Sequence, residues 1–182
     1  MSMSAALKLE RNLVSEEAFL AQPESLDRAE LIDGEVIVPP APSPLHQYVT
    51  VELLAYMHAW ARANPPATLG LAPLDVRLAP GRIVQPDLFL VLAGFSPRAV
   101  APLRVVPDLV VEVISHDRSY DRITKRALYH AAGVPEYWIV DPFAAEIEHI
   151  RGLETVDVVR EGAITSAVAE GLVVPLAAIF PP

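Results

Sequence analysis

Apolar positions along the chain recur at two periods, and each change of period marks an element. Ser15 followed by Glu16 and Glu17 is an N-cap with an acidic first turn, which predicts a short helix that ends by Pro23. AELIDGEVIVPP then reads as a hairpin, with Asp33-Gly34 as its tight turn and Glu35 opening the second strand. After the proline-rich PPAPSP, helical spacing runs from about Leu45 to Ala63, and Val49, Leu53, Tyr56 and Trp60 form its inward stripe. Asn64-Pro65-Pro66 stops this helix. Two apolar runs follow, LGLAPLDVRL and RIVQPDLFLVL, which meet at Ala79-Pro80-Gly81 and are expected to pair.

DLVVEVIS is nearly continuous in β-branched residues, the pattern of a strand buried on both faces. Residues from about Ser119 to Ala132 predict a helix with Ile123, Ala127 and Ala131 inward and Gly133 as its left-handed terminator. EYWIVD is the next strand, and EIEHIRG, ETVDVVREG and AITSAVAEG add short strands separated by glycine turns. The expected class is α/β, an α+β mixed sheet flanked by helices, in a single domain over 1–182. Its central order is helix, three strands, helix, strand, with an N-terminal hairpin before it and extra C-terminal strands after it.

Composition narrows the chemistry. Hydrophobic residues make up 52% of the 182, enough for a core and for a buried subunit interface, so a homodimer is expected. No apolar stretch approaches the roughly 18 residues of a membrane span, and MSMSAALKLERN lacks the apolar centre of a signal peptide. These features predict a cytoplasmic protein without membrane contact. With no cysteine, a metal must sit on carboxylates or imidazoles, which favours Mg²⁺ or Mn²⁺. The net charge of -9 argues against a protein that coats nucleic acid. The one local concentration of positive charge is Arg118, Arg122, Lys125 and Arg126, which is also what a solvated helix face looks like.

Glu112 is the clearest chemical signal, because an ionised carboxylate inside DLVVEVIS costs several kcal/mol unless a cation or proton meets it. Asp87 stands in a similarly apolar run directly after Pro86. If their strands are neighbours, the two acids converge into the oxygen set that Mg²⁺ takes from protein, the rest of its shell being water and phosphate. Lys125 and Tyr129 are one helical turn apart and share a face, opposite the apolar side of Ile123, Ala127 and Ala131. That lysine either reaches Glu112 or pairs with Asp121 in solvent. Glu35 beside the hairpin turn is a further candidate acid, and His46 near the helix start a candidate phosphate or metal contact. Consecutive Ser115, His116 and Asp117 cannot adopt triad geometry, which excludes a serine hydrolase.

Taken together, ELIDGEVIVPPAPSPLHQ, APLDVRL, VQPDLFLV, PDLVVEVIS and YDRITKRALYHAAGVPEYWIVDP resemble the Uma-type family of restriction-endonuclease-like proteins, within the PD-(D/E)XK nuclease superfamily. The resemblance runs from about Arg28 to Asp141. It implies a metal-dependent DNA endonuclease in which Asp87 is the metal-binding aspartate and Glu112 the acid of the (D/E)XK motif. The superfamily's lysine, two residues after that acid, is here Ile114, and the resemblance implies that Lys125 on the following helix has taken its place. Glu35 falls in the family's DGE element at the edge of the site, and His46, Gln85 and Tyr129 are supporting positions. Two other readings stay open: a non-catalytic binding or regulatory module on the same fold, and a hydrolase of a small phosphorylated compound.

Overall fold

The computed structural model describes residues 13–23, 28–115, 120–152 and 155–181, with the side chains of 120–122 outside the description. Arg118, His116 and Asp117 therefore lie outside the described residues, as do the side chains of Asp121 and Arg122. Near the N-terminus, the Ser15 hydroxyl accepts from Ala18 N at 3.1 Å and caps α1 (Glu16–Leu20). β1 (Glu30–Ile32) and β2 (Glu35–Ile37) form the expected hairpin. Asp33 and Gly34 both hold positive φ, 51° and 91°, as a two-residue turn of the I′ kind requires. Ser43 caps the long α2 (Pro44–Ala63) by accepting from His46 N at 3.2 Å.

The buried stripe of α2 is His46, Val49, Leu53, Met57 and Ala61. Tyr56 and Trp60, expected inward, only flank it. The Trp60 indole N–H donates to Glu170 O at 2.9 Å, which keeps the ring at the rim, where its polar edge finds a partner.

Each of the two apolar runs breaks in half. The halves nearest the turn, β4 (Val76–Ala79) and β5 (Arg82–Val84), pair with each other and join the hairpin in a four-stranded sheet, β2-β1-β5-β4. The far halves, β3 (Thr68–Leu71) and β6 (Leu88–Val91), pair in a second, six-stranded sheet. Pro73 and Pro86 fall at the two breaks, where a residue without an N–H ends the ladder. Gly70 is required opposite Phe89, because a Cβ there would meet the ring at 2.1 Å.

β7 (Leu109–Val113) is buried along its whole length, with β6 antiparallel on one side and β8 (Glu136–Asp141) parallel on the other. The crossover between β7 and β8 contains a π-helical segment, Tyr120–Lys125, that continues into α3 (Arg126–Ala131), followed by Gly133 at φ 84°. β9 (Glu146–Arg151) and β10 (Thr155–Val159) complete the sheet in the order β10-β9-β8-β7-β6-β3. A small pair, β11 (Ala163–Thr165) with β12 (Val173–Pro175), and α4 (Leu176–Ile179) follow. α2 and α4 cover one face of the large sheet through Leu88, Leu109, Val111 and Trp138. α3 and the smaller sheet cover the other through Phe89, Val110, Tyr137 and Ile139. Among the described residues no helix is long and apolar enough to cross a membrane.

The inward face of the crossover helix is the reverse of the sequence expectation. Ile123 is 70% exposed and Ala127 and Ala131 also face outward, whereas Lys125, Leu128 and Tyr129 are buried. Leu128 and Tyr129 bury far more apolar area than two alanines. The ammonium and the phenol of this face meet carboxylates beneath the helix.

Candidate active-site cleft

The pairing of β6 with β7 brings the two principal acids together. Leu88 lies opposite Val111 and Phe89 opposite Val110, so continuing the register by one pair sets Asp87 across from Glu112 on the face under α3. Asp87 Oδ2 accepts from Val113 N at 2.9 Å, and Asp87 N lies 3.4 Å from Glu112 Oε2. Both acids line a cleft of about 270 Å³. Arg28, Glu30, His46 and Lys125 complete its polar side, and residues 37–40 with Pro42 form an apolar, proline-rich wall opposite.

Lys125, on the last position of the π-helical segment, is 6% exposed and carries its Nζ 2.8 Å from Glu112 Oε1 and 3.1 Å from Glu30 Oε1. The Tyr129 hydroxyl donates to the same Glu112 oxygen at 2.5 Å. Burial, and then the negative charges of Glu112 and Glu30, push the Tyr129 phenol well above its ordinary value, so it stays protonated and able to donate. Asp87 is moved the other way. Burial raises its pKa, but the His46 hydrogen bond and the charges of His46, Arg28 and Lys125 outweigh that and lower it to about 2.

His46 reaches Asp87 from the first turn of α2, with Nε2 3.0 Å from Oδ2. Thr50, one turn on, holds the imidazole from behind through a 3.4 Å contact to Nδ1. Gln85 enters through its backbone: its N–H donates to Glu30 Oε1 at 2.8 Å and its carbonyl accepts from Arg28 Nη2 at 2.8 Å. Its side chain turns away to Asp75.

Glu35 does not reach the cleft; Glu30 does. The hairpin register pairs Glu30 with Ile37 and Glu35 with Ile32, so the two glutamates share a face. Glu35, however, stands at the turn end, two residues or about 7 Å along the strand from Ile37, and is exposed. Glu30 was legible by the argument applied to Glu112, an acid inside a short apolar strand. Arg28, which donates to Asp87 Oδ1 at 3.1 Å, carries no comparable sequence signal.

The donor set suits a hard divalent ion that takes one or two carboxylates and fills its shell with water and phosphate oxygen. Asp87 and Glu112 supply the carboxylates from adjacent strands, and Glu30 is a third within reach of the same lysine. Among the described residues no cage of three or more acids and imidazoles forms, so such an ion would rely on water and substrate for most of its shell.

A second buried acid lies elsewhere in the large sheet. Glu136, at the start of β8 and on the α2 face, has no exposed surface. Its Oε2 accepts from Ser166 Oγ at 2.7 Å, Ala167 N at 2.9 Å and Val168 N at 3.0 Å, and its Oε1 from Trp138 Nε1 at 2.7 Å. His149 Nε2 lies 2.6 Å from Oε1, off the hydrogen-bonding direction.

The family model Uma2, described as "Putative restriction endonuclease", matches residues 16–177. The fold is similar to the crystal structure of a "putative nuclease belonging to DUF820" from Anabaena variabilis, with a TM-score of 0.79 and 22% identity over 92% of this chain and 97% of that one. No curated protein matches the chain.

Proposed function

Since the chain belongs to the Uma2 family of restriction-endonuclease-like proteins, we propose that its cleft hydrolyses phosphodiester bonds in DNA, with Asp87 and Glu112 as ligands of Mg²⁺ or Mn²⁺. The observation that carries this reading is the meeting of Asp87, Glu112 and Lys125 in one cleft, from three separate elements. The position two residues after Glu112 is Ile114, which carries no amine and packs in the core under α3. Lys125 supplies it from the crossover instead.

When bound, the ion would acidify a water and offset charge developing on the phosphate. The chain's own residues do the rest. Lys125, held between Glu112 and Glu30, places a fixed positive charge beside the position that the phosphate would occupy. Tyr129 holds the Glu112 carboxylate in one orientation. The apolar wall from Ile37 to Pro42 excludes water on the far side and offers a surface for sugar and base.

The test is cleavage of plasmid, single-stranded DNA and RNA in Mg²⁺ or Mn²⁺ by the wild type and by Asp87→Asn, Glu112→Gln and Lys125→Met. Each substitution is expected to lower the rate by about a hundredfold or more, the scale of losing one fixed electrostatic group at a reacting centre. Cleavage by the three variants at the wild-type rate would overturn the assignment. RNA cleaved in preference to DNA would change the substrate and leave the site.

A further inference from the structure

We propose that Arg28 is an exchangeable counter-ion, which neutralises Asp87 until a divalent cation takes Oδ1 and then turns its guanidinium to the substrate phosphate. The inference rests on the metal-site reading above and deepens it.

Both Asp87 oxygens are engaged, but in different ways. Oδ2 is held by the Val113 N–H and by His46, whose side chain is 5% exposed and braced by Thr50. Oδ1 is held by Arg28 Nη1 at 3.1 Å, from a side chain 25% exposed at the cleft. An ion that binds Asp87 directly therefore exchanges with Arg28, because the other donors are a strand backbone and a braced, buried ring.

The Arg28 pairing is also a poor use of a guanidinium. Its two terminal nitrogens are divided between Asp87 Oδ1 and the Gln85 carbonyl, and its Nε is buried without a hydrogen-bond partner. Elsewhere in the same molecule, Arg82 grips Asp33 with Nε and Nη2 on separate oxygens at 2.8 and 3.0 Å, the fork geometry that suits carboxylate and phosphate alike. A phosphodiester entering the cleft offers Arg28 that geometry. Charge favours the same exchange. Asp87, Glu112 and Glu30 face two permanent cations, Arg28 and Lys125. A divalent ion adds positive charge beside Arg28, and an arriving phosphate gives Arg28 a new anion.

The two halves of this exchange have opposite signs in Arg28→Met. Measured on the full chain by electron paramagnetic resonance without nucleic acid, Mn²⁺ is expected to bind about three- to tenfold tighter than in the wild type, because a competing charge is gone. In the same buffer, a phosphorothioate DNA duplex followed by fluorescence anisotropy is expected to bind about tenfold more weakly. Arg28→Lys, which keeps the charge and loses the fork, should hold Mn²⁺ as the wild type does and bind the duplex with intermediate affinity. Damage to the fold would weaken both ligands, so it cannot imitate this pattern. Mn²⁺ bound no more tightly by Arg28→Met, or duplex bound as well as by the wild type, overturns the exchange. Asp87→Asn keeps the failures apart: if the wild type and Asp87→Asn bind Mn²⁺ alike, the metal site itself is wrong and the exchange falls with it.

Discussion

Glu112 and Glu136 stand on adjacent parallel strands, β7 and β8, and are 3% and 0% exposed, yet their surroundings differ in kind. Glu136 lies on the α2 face, at the start of its strand. It is enclosed by a hydroxyl, an indole N–H and two backbone N–H groups, with a histidine against it. Those donors are fixed by the turn at 166–169 and by the sheet, and the carboxylate has no exposed surface. Glu112 lies on the opposite face, near the end of its strand, against an ammonium, a phenol and a second acid, and it borders a cleft. Burial thus does not distinguish an acid that borders a cleft from one that is enclosed. The difference lies in the kind of partners each acid has and in the cleft that adjoins only Glu112 of the two.

Replacing the enclosed acid should have the largest effect on stability. Glu136→Ala leaves several buried donors unmatched and is expected to cost about 3 kcal/mol or more in denaturant unfolding. Activity per folded molecule should be unchanged. A cost below about 1 kcal/mol would mean that the cluster is not closed to water, and the contrast with the cleft would fail.

Lys125→Met comes next. It leaves Glu30 and Glu112 facing each other without their shared cation, which is expected to cost about 2 kcal/mol. Adding Glu30→Gln should recover part of that stability without recovering cleavage, since the amine is still missing. Equal stability of the single and double variants would show that the three groups do not act on one another.

The smallest effect is a pH dependence at Glu136. Burial raises its pKa, but the His149 contact, the Ser166 hydroxyl and the Ala167 N–H lower it more, to below the ordinary 4.5. A depressed carboxyl contributes stability that is fully present above about 4.5 and is lost as the pH falls through the folded value. The stability difference between the wild type and Glu136→Gln is therefore expected to shrink on acidification below pH 4.5. A difference that stays constant through this range would exclude a depressed Glu136.

Most elements of the fold were legible because their causes are local. Positive φ at Asp33 and Gly34 follows from the two residue types that best tolerate it, and the helix stop at Gly133 follows likewise. The buried strand LVVEV and the one acid within it follow from period and desolvation alone. The two apolar runs predict one hairpin; β4 and β5 form it, while β3 and β6 pair in the larger sheet. Their prolines were visible, but the passage of each run from one sheet to another depends on what packs above and below.

The site divides along the same line. Asp87, Glu112 and Lys125 could be singled out from sequence, because an ionisable group in an apolar stretch is costly wherever it is placed. Which groups meet was a tertiary decision. Glu30 rather than Glu35 enters the cleft because of a two-residue offset along one hairpin. Arg28 reaches Asp87 across 59 positions of chain, and the crossover helix turns Lys125 and Tyr129 inward because carboxylates await them on strands formed earlier in the sequence. Local sterics and hydrophobic period are written in neighbouring residues and can be read there. The pairing of charges is set by which strands lie side by side, and only the folded sheet decides that.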